Sequence, residues 1–173
     1  MRRPFLLVAA ALVAVGLFVA GLGVAASGST STKLAARLAA GAETPRPKGA
    51  SRASGLFTAT LTGSSLSWRL TFARLTGKAI AAHVHLGRPG VAGPVAVPLC
   101  GPCVSGAHGT KKLTVKVRSA LLSSGAYVNV HTAKNPAGEI RGQVRSGRPA
   151  PTSTTTESEP TTTDDGGYGG YGG

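Results

Sequence analysis

Acidic residues are scarce: six Asp and Glu stand against nineteen Lys and Arg in 173 residues, a formal net charge of +13. The shortage is sharper in the body of the chain. Apart from Arg2 and Arg3, every Lys and Arg lies between Lys33 and Arg148, where Glu43 and Glu139 are the only acids. The other four, Glu157, Glu159, Asp164 and Asp165, follow in a tail without a base. Such a body is attracted to anionic cell-envelope polymers, lipid headgroups or nucleic acid, or simply carries a solvated basic face. Aromatics are also few, with four Phe, three Tyr and one Trp. The basic stretches therefore lack stacking rings, and no nucleic-acid motif is present, so a specific nucleic-acid partner is not expected. The 25 Gly and 11 Pro follow no triplet period, which excludes collagen. No internal repeat is visible. Plentiful Val, Thr and Ala favour a small all-β domain with a modest core.

There are only two cysteines, Cys100 and Cys103, in "LCGPCVSG". None lies near the start of the chain, which speaks against a lipoprotein anchor. A Cys-Gly-Pro-Cys run can mark a thioredoxin-like redox site, but that chemistry wants its first Cys at a helix N-terminus. The residues that follow, "VSGAHGTKK", contain two Gly and no helical period. A disulfide pinning a surface loop is favoured. A metal site of Cys100, Cys103 and His108 is the lesser alternative, because an oxidising compartment favours the bridge.

That compartment is implied by the N-terminus. Arg2 and Arg3 precede an uncharged stretch from Phe5 to Ala26 that ends in small residues. This is the layout of a secretory signal, with Val24-Ala25-Ala26 as the cleavage site. The run is also long enough to span a bilayer as an uncleaved anchor helix. Cleavage is favoured because the run is rich in Ala and Gly. Either way the body is expected outside the cytoplasm, secreted or held at the cell surface. The expected organisation is 1–26 signal or anchor, 27–31 linker, 32–147 folded domain and 148–173 tail. The tail has no Leu, Ile, Val or Phe and should be disordered, a Thr/Pro/Gly-rich spacer.

Alternation locates the strands. In "LSWRLTFA", Leu66, Trp68, Leu70 and Phe72 share a core face, and Gly63-Ser64-Ser65 turns back from the preceding strand "GLFTATLT". "KLAARLAA" is a weaker first strand. "GPVAVPLC" is a short one, placed at an edge by its prolines. "KLTVKV" is read as a strand burying Leu113, Val115 and Val117, and "SALLSSG" as one helical turn stopping at Gly125. "AYVNVHT" and "GEIRGQV" close the set, joined by "AKNPAG". About eight short strands separated by Gly and Pro turns suggest an all-β Greek-key sandwich or barrel, immunoglobulin-like or superoxide-dismutase-like.

The same alternation applied to "AAHVHLGRPG" assigns Ile80, Ala82, Val84 and Leu86 to the core. Ala81, His83 and His85 then point away from it. In "AYVNVHT" the outward set is Tyr127, Asn129 and His131. In "GEIRGQV" it is Glu139, Arg141 and Gln143. If these strands are neighbours, one sheet carries a polar outer face holding three of the chain's four histidines. Alternate residues of a strand are about 6.6 Å apart at the backbone, so His83 and His85 can converge on one ion, with His131 as a third ligand. A hydrogen-bonded network that fixes loops such as "GRPGVAGP" is favoured, with the metal site as the alternative. The candidate cluster is His83, His85, His131, Asn129 and Arg141, and its candidate cofactor is copper or zinc.

"AAHVHLGRPGVAGPVAVPLC" followed by "AYVNVHTAKNPAGEIRGQV" closely resembles the CHRD domain, first recognised as repeats in chordin and widespread in exported bacterial proteins. "KLAARLAAGAETP" is similar to the family's opening strand and acidic-Pro turn, so the resemblance covers about residues 32 to 147. It implies a non-enzymatic binding or structural module at the cell envelope or outside the cell, whose partner could be an extracellular protein. The family defines no catalytic residues, and none are assigned here. A fainter similarity links His83-Val84-His85 to the His-Val-His strand of copper/zinc superoxide dismutase, a Greek-key barrel with metal ligands on its outer face. This chain has neither that enzyme's bridging histidine nor its histidine/aspartate zinc loop. What that similarity implies is a copper or zinc site rather than dismutase activity.

Overall fold

The structure, a computed structural model, describes residues 30–50 and 52–147. The expected signal or anchor segment, 1–26, and the expected disordered tail, 148–173, lie outside the described residues.

Among the described residues the fold is all-β, with one short α-helix and a 3-10 turn at Ala40–Ala42. The strands are β1 (Ser31–Ala39), β2 (Ser54–Thr62), β3 (Ser65–Ala73), β4 (Ala79–Leu86), β5 (Val95–Cys100), β6 (His108–Lys112), β7 (Ala126–Thr132), β8 (Ile140–Gln143) and the two-residue β9 (Arg145–Ser146). Helix α1 spans Val115–Leu122. All strand pairs are antiparallel, in the order β5-β4-β7-β8-β1-β2-β3-β6, with β9 pairing β1. The neighbours β4–β7, β3–β6 and β8–β1 are not consecutive in the chain, as a Greek key requires. The edge strands β5 and β6 approach each other, so the sheet is a nearly closed barrel. Its interior holds Leu34, Phe57, Leu66, Leu70, Val84, Val128, Val130 and Ile140, each almost fully buried.

The hairpin β2–β3 follows the alternation read from sequence. Thr62 pairs with Ser65, so Gly63 and Ser64 form a two-residue turn. Gly63 sits at φ 56°, which glycine adopts without strain. β5 is an edge strand, as its prolines require.

Two local readings are corrected. "KLTVKV" is not a strand. β6 ends at Lys112, and Thr114 caps α1, its hydroxyl accepting from the Val117 amide at 3.3 Å. Leu113, Val117 and Leu121 are buried at helical spacing, whereas Val115 is 85% exposed. Four-residue spacing plus a Thr cap outweighed two-residue alternation. Ile80 is not a core residue either. The β4–β7 register shifts between Ala79 and Ala81, so Ile80 bulges outward at 45% exposure and Ala79 takes the core position at 3%.

Candidate functional site

β7 lies between β4 and β8, and its register sets the rows of the barrel's outer face. His83 pairs with Asn129, and Asn129 with Arg141. His85 pairs with Tyr127, and Tyr127 with Gln143. Ala81 pairs with His131. Residues of one parity on three adjacent strands thus share one face.

This face is not solvated. Asn129, Arg141, Tyr127, His85 and His131 are all buried, and His83 is partly so. The residues lie on the outer side of the sheet, as their parity implies, and the surrounding loops cover them. Tyr127 donates its hydroxyl proton toward the Gly93 carbonyl, while the Gly93 amide donates to that hydroxyl at 3.1 Å. Arg141 Nη2 donates to the Arg88 carbonyl at 2.8 Å. The Gln143 amide nitrogen reaches the carbonyls of Gly87 and Ser124, both at 2.8 Å. The segment 87–93 is thereby fastened over the sheet by side chains of β7 and β8.

The three histidines converge. Each offers a ring nitrogen, and these nitrogens all lie within 4.8 Å of one another. His85 Nδ1 bonds the Gly93 carbonyl at 2.9 Å, and His131 Nδ1 bonds the Pro136 carbonyl at 2.9 Å. A carbonyl only accepts, so both Nδ1 atoms carry the proton in these bonds. The Nε2 atom of each neutral ring then keeps its lone pair. His131 Nε2 faces His83 Nδ1 at 3.0 Å, which must donate to it. His85 Nε2 is buried, with the Asn129 side chain beside it and no atom in hydrogen-bond geometry among the described residues.

All three imidazoles are held below their usual titration range. For His83 the cause is burial, then the neighbouring His131 and His85. For His85 it is burial, with Arg141 adding to the effect and the Gly93 carbonyl and Asn129 opposing it. For His131 it is burial, opposed by the Pro136 carbonyl and reinforced by His85. At neutral pH the rings are therefore uncharged, the form that binds a metal.

Tyr127 on the central strand stacks on His85, with ring centres 4.9 Å apart and planes at 12°. It also carries the Arg141 guanidinium 3.4 Å from its ring centre. Beyond Arg141 lies Glu43, 4% exposed, from the turn after β1. Burial pushes the Glu43 carboxyl above its usual range, against the Thr44 amide, Arg141 and Asn129. Glu43, Arg46, Gly90, Arg141 and Gln143 line a cleft of about 400 Å³ beside the face. Sequence reasoning did not place Glu43 at the site. Its signal was rarity, as one of two acids in a body of seventeen cations.

The sequence-derived candidates His83, His85, His131, Asn129 and Arg141 thus lie on one face of three adjacent strands. Glu139, expected to share it, instead turns its carboxylate to Thr76, Thr132 and Asn135. Cys100 and Cys103 are bridged, with Cα atoms 5.3 Å apart, so neither is a thiolate ligand. His108, at the start of β6, bonds the Gly106 carbonyl and does not join the cluster. Five of the six buried side-chain atoms without a partner among the described residues belong to this region: Glu43 Oε2, His85 Nε2, Asn129 Oδ1, Arg141 Nη1 and Gln143 Oε1.

No curated protein and no solved structure matches the chain. The profile of the CHRD domain matches residues 34–144, from the first core leucine of β1 to Val144 after β8. That span takes in the whole histidine face, and the chain belongs to the CHRD domain family.

Proposed function

We propose that this chain is a binding module acting outside the cytoplasm, and that its histidine face holds one copper or zinc ion on His83, His85 and His131. The observation that carries the reading is the convergence of three uncharged ring nitrogens, two of them on rings aimed by backbone carbonyls. Ligating histidines commonly donate their second nitrogen to such an acceptor, which fixes the tautomer and the ring orientation. Imidazole suits both copper and zinc, and a three-nitrogen set leaves a fourth position open. The Irving–Williams order then favours Cu(II) over Zn(II). Action outside the cytoplasm is supported by the Arg-initiated apolar segment up to Ala26 and by the bridged cysteines.

A second reading, a purely structural network, is favoured by the 3.0 Å bond between His83 and His131, which closes part of the cluster without an ion. One titration separates the two. Metal-free protein is titrated with Cu(II) and with Zn(II), beside a His85→Ala, His131→Ala double variant. The metal reading expects one ion per chain and an affinity loss of at least about a hundredfold in the variant, beyond the loss typical of a supporting residue. Equal, weak binding by both proteins would leave the network.

A further inference from the structure

The wall made by β1, β2, β3 and β6 carries a second polar face, unlike the histidine face in composition. Its cross-strand rows are Lys33–Thr60–Ser67–Thr110, Thr58–Arg69–His108 and Thr62–Ser65–Lys112. Most of these side chains are hydroxyls, and the charged ones are all basic. Lys33, Arg69 and Lys112 are exposed. Neighbouring hydroxyls already hold the two lysines: Lys33 Nζ donates to Thr60 at 3.0 Å, and Lys112 Nζ to Ser64 at 3.3 Å. A depression of about 530 Å³ here has Lys33, Thr58, Thr60, Ser67 and Arg69 on its outer side and the core residues Leu34, Ala59 and Trp68 at its floor.

No acid competes with these cations on the described surface, because Glu43 and Glu139 are both buried. We propose that this face is a docking surface for an anionic glycan, a sugar chain bearing carboxylate or sulfate groups. The argument is charge complementarity together with the choice of uncharged residues. At strand spacings of about 4.8 Å and about 3.4 Å per residue, the three cations stand roughly 12–16 Å apart. That spacing suits charges repeated along a chain rather than one small anion. The Thr and Ser hydroxyls between them can both donate to and accept from sugar hydroxyls. Nucleic acid fits less well: Trp68, the aromatic beneath these rows, is turned into the core at 5% exposure, so the face has no ring on which bases could stack. The surface lies on different strands from the histidines, and the inference does not depend on a metal.

The test uses the full chain and three probes: heparin oligosaccharide, polygalacturonate and oligo-dT. Binding is compared for the natural protein, a Lys33→Ser, Arg69→Ser, Lys112→Ser variant, and a control of equal charge change, Lys78→Ser, Lys116→Ser, Lys134→Ser. The control residues are exposed and lie off this face. The face variant should lose about tenfold in affinity for the two glycans, as three exposed ion pairs imply, while the control loses little. Equal loss in both variants would mean diffuse attraction to a basic protein and would overturn the proposal. So would tighter binding of oligo-dT than of either glycan. Glycan binding that requires neutralisation of Glu157, Glu159, Asp164 and Asp165 would assign the face to the chain's own acidic tail, again against the proposal.

Discussion

Replacing Glu139 with Gln is expected to destabilise the domain by about 2–4 kcal/mol, and the figure follows from donor geometry. The carboxylate is fully buried. One oxygen accepts from the Thr76 amide, and the other from the hydroxyls of Thr76 and Thr132 and from Asn135 Nδ2. The hydroxyls can turn and become acceptors. The Thr76 amide cannot, and Asn135 is locked because its Oδ1 accepts from the Lys48 amide at 2.7 Å. A glutamine therefore sets its NH2 against a fixed donor in either orientation. At least one charge-assisted bond, worth about 1.5–3 kcal/mol, is lost, and the others weaken with the charge. The melting temperature should fall by roughly 10 °C. The acid limb should change as well. Burial raises the Glu139 pKa, but the bonds from Thr132, Thr76 and Asn135 outweigh it and leave the carboxyl below its usual 4.5. Above that value the unfolded chain holds no more protons than the folded one at this site, and the contribution is complete. As pH falls below it, the unfolded carboxyl protonates first, and the contribution is lost through the lowered folded value. Urea unfolding of both proteins between pH 3 and 7 is the assay. A loss under about 1 kcal/mol at neutral pH, or an unchanged acid limb, would refute the reasoning.

A Cβ at Gly93 would lie 1.6 Å from the Leu86 carbonyl oxygen, so Gly93→Ala must push the loop away from β4 and take the His85 acceptor with it. Copper or zinc affinity, measured by chelator competition, should fall about 10–100-fold; unchanged affinity would show that this carbonyl does not aim the ring. Replacing Cys100 and Cys103 together by Ser opens a four-residue loop and should cost about 2 kcal/mol in urea unfolding while leaving metal affinity as it was. A change in metal affinity would mean that the bridge, at the far end of β5, reaches the histidine face.

Alternation reveals side, not cover. It was enough to set His83 and His85 opposite Val84, and Asn129 and His131 opposite Val130, because each strand carries its own apolar reference. It could not show that segment 87–93 and the turn at Pro136 lie over those side chains, since the bonds that fasten them come from Tyr127, Arg141, Gln143 and His131, distant in the chain. The adjacency of β4 and β7 joins residues 48 apart and had to be assumed. Where alternation and helical spacing coincide, as at Leu113 and Val117, only the intervening Val115 discriminates. A valine there favours the strand reading until the Thr114 cap is taken into account. At Ile80, one extra residue in β4 inverts the parity, and nothing in "KAIAAHV" announces it.

Two buried polar groups flank β7, and their difference indicates what each is for. Burying a polar atom costs stability unless it is partnered. Among the described residues no buried polar side-chain atom around Glu139 lacks a partner, and its bonds tie Thr76, ahead of β4, to Thr132 and Asn135 at the end of β7. That is the pattern of a clip whose work is complete once the chain has folded. Across the histidine face two acceptors, His85 Nε2 and Asn129 Oδ1, and one donor, Arg141 Nη1, have no partner among the described residues. The carbonyls of Gly93 and Pro136 accept from Nδ1–H of His85 and His131, which holds the ring proton on Nδ1 and leaves the lone pair on Nε2. A face needed only for packing could have been filled with Val and Leu at lower cost, as the opposite side of the same strands is. The persistence of unpartnered acceptors at this one place is the physical reason to look for a cation there.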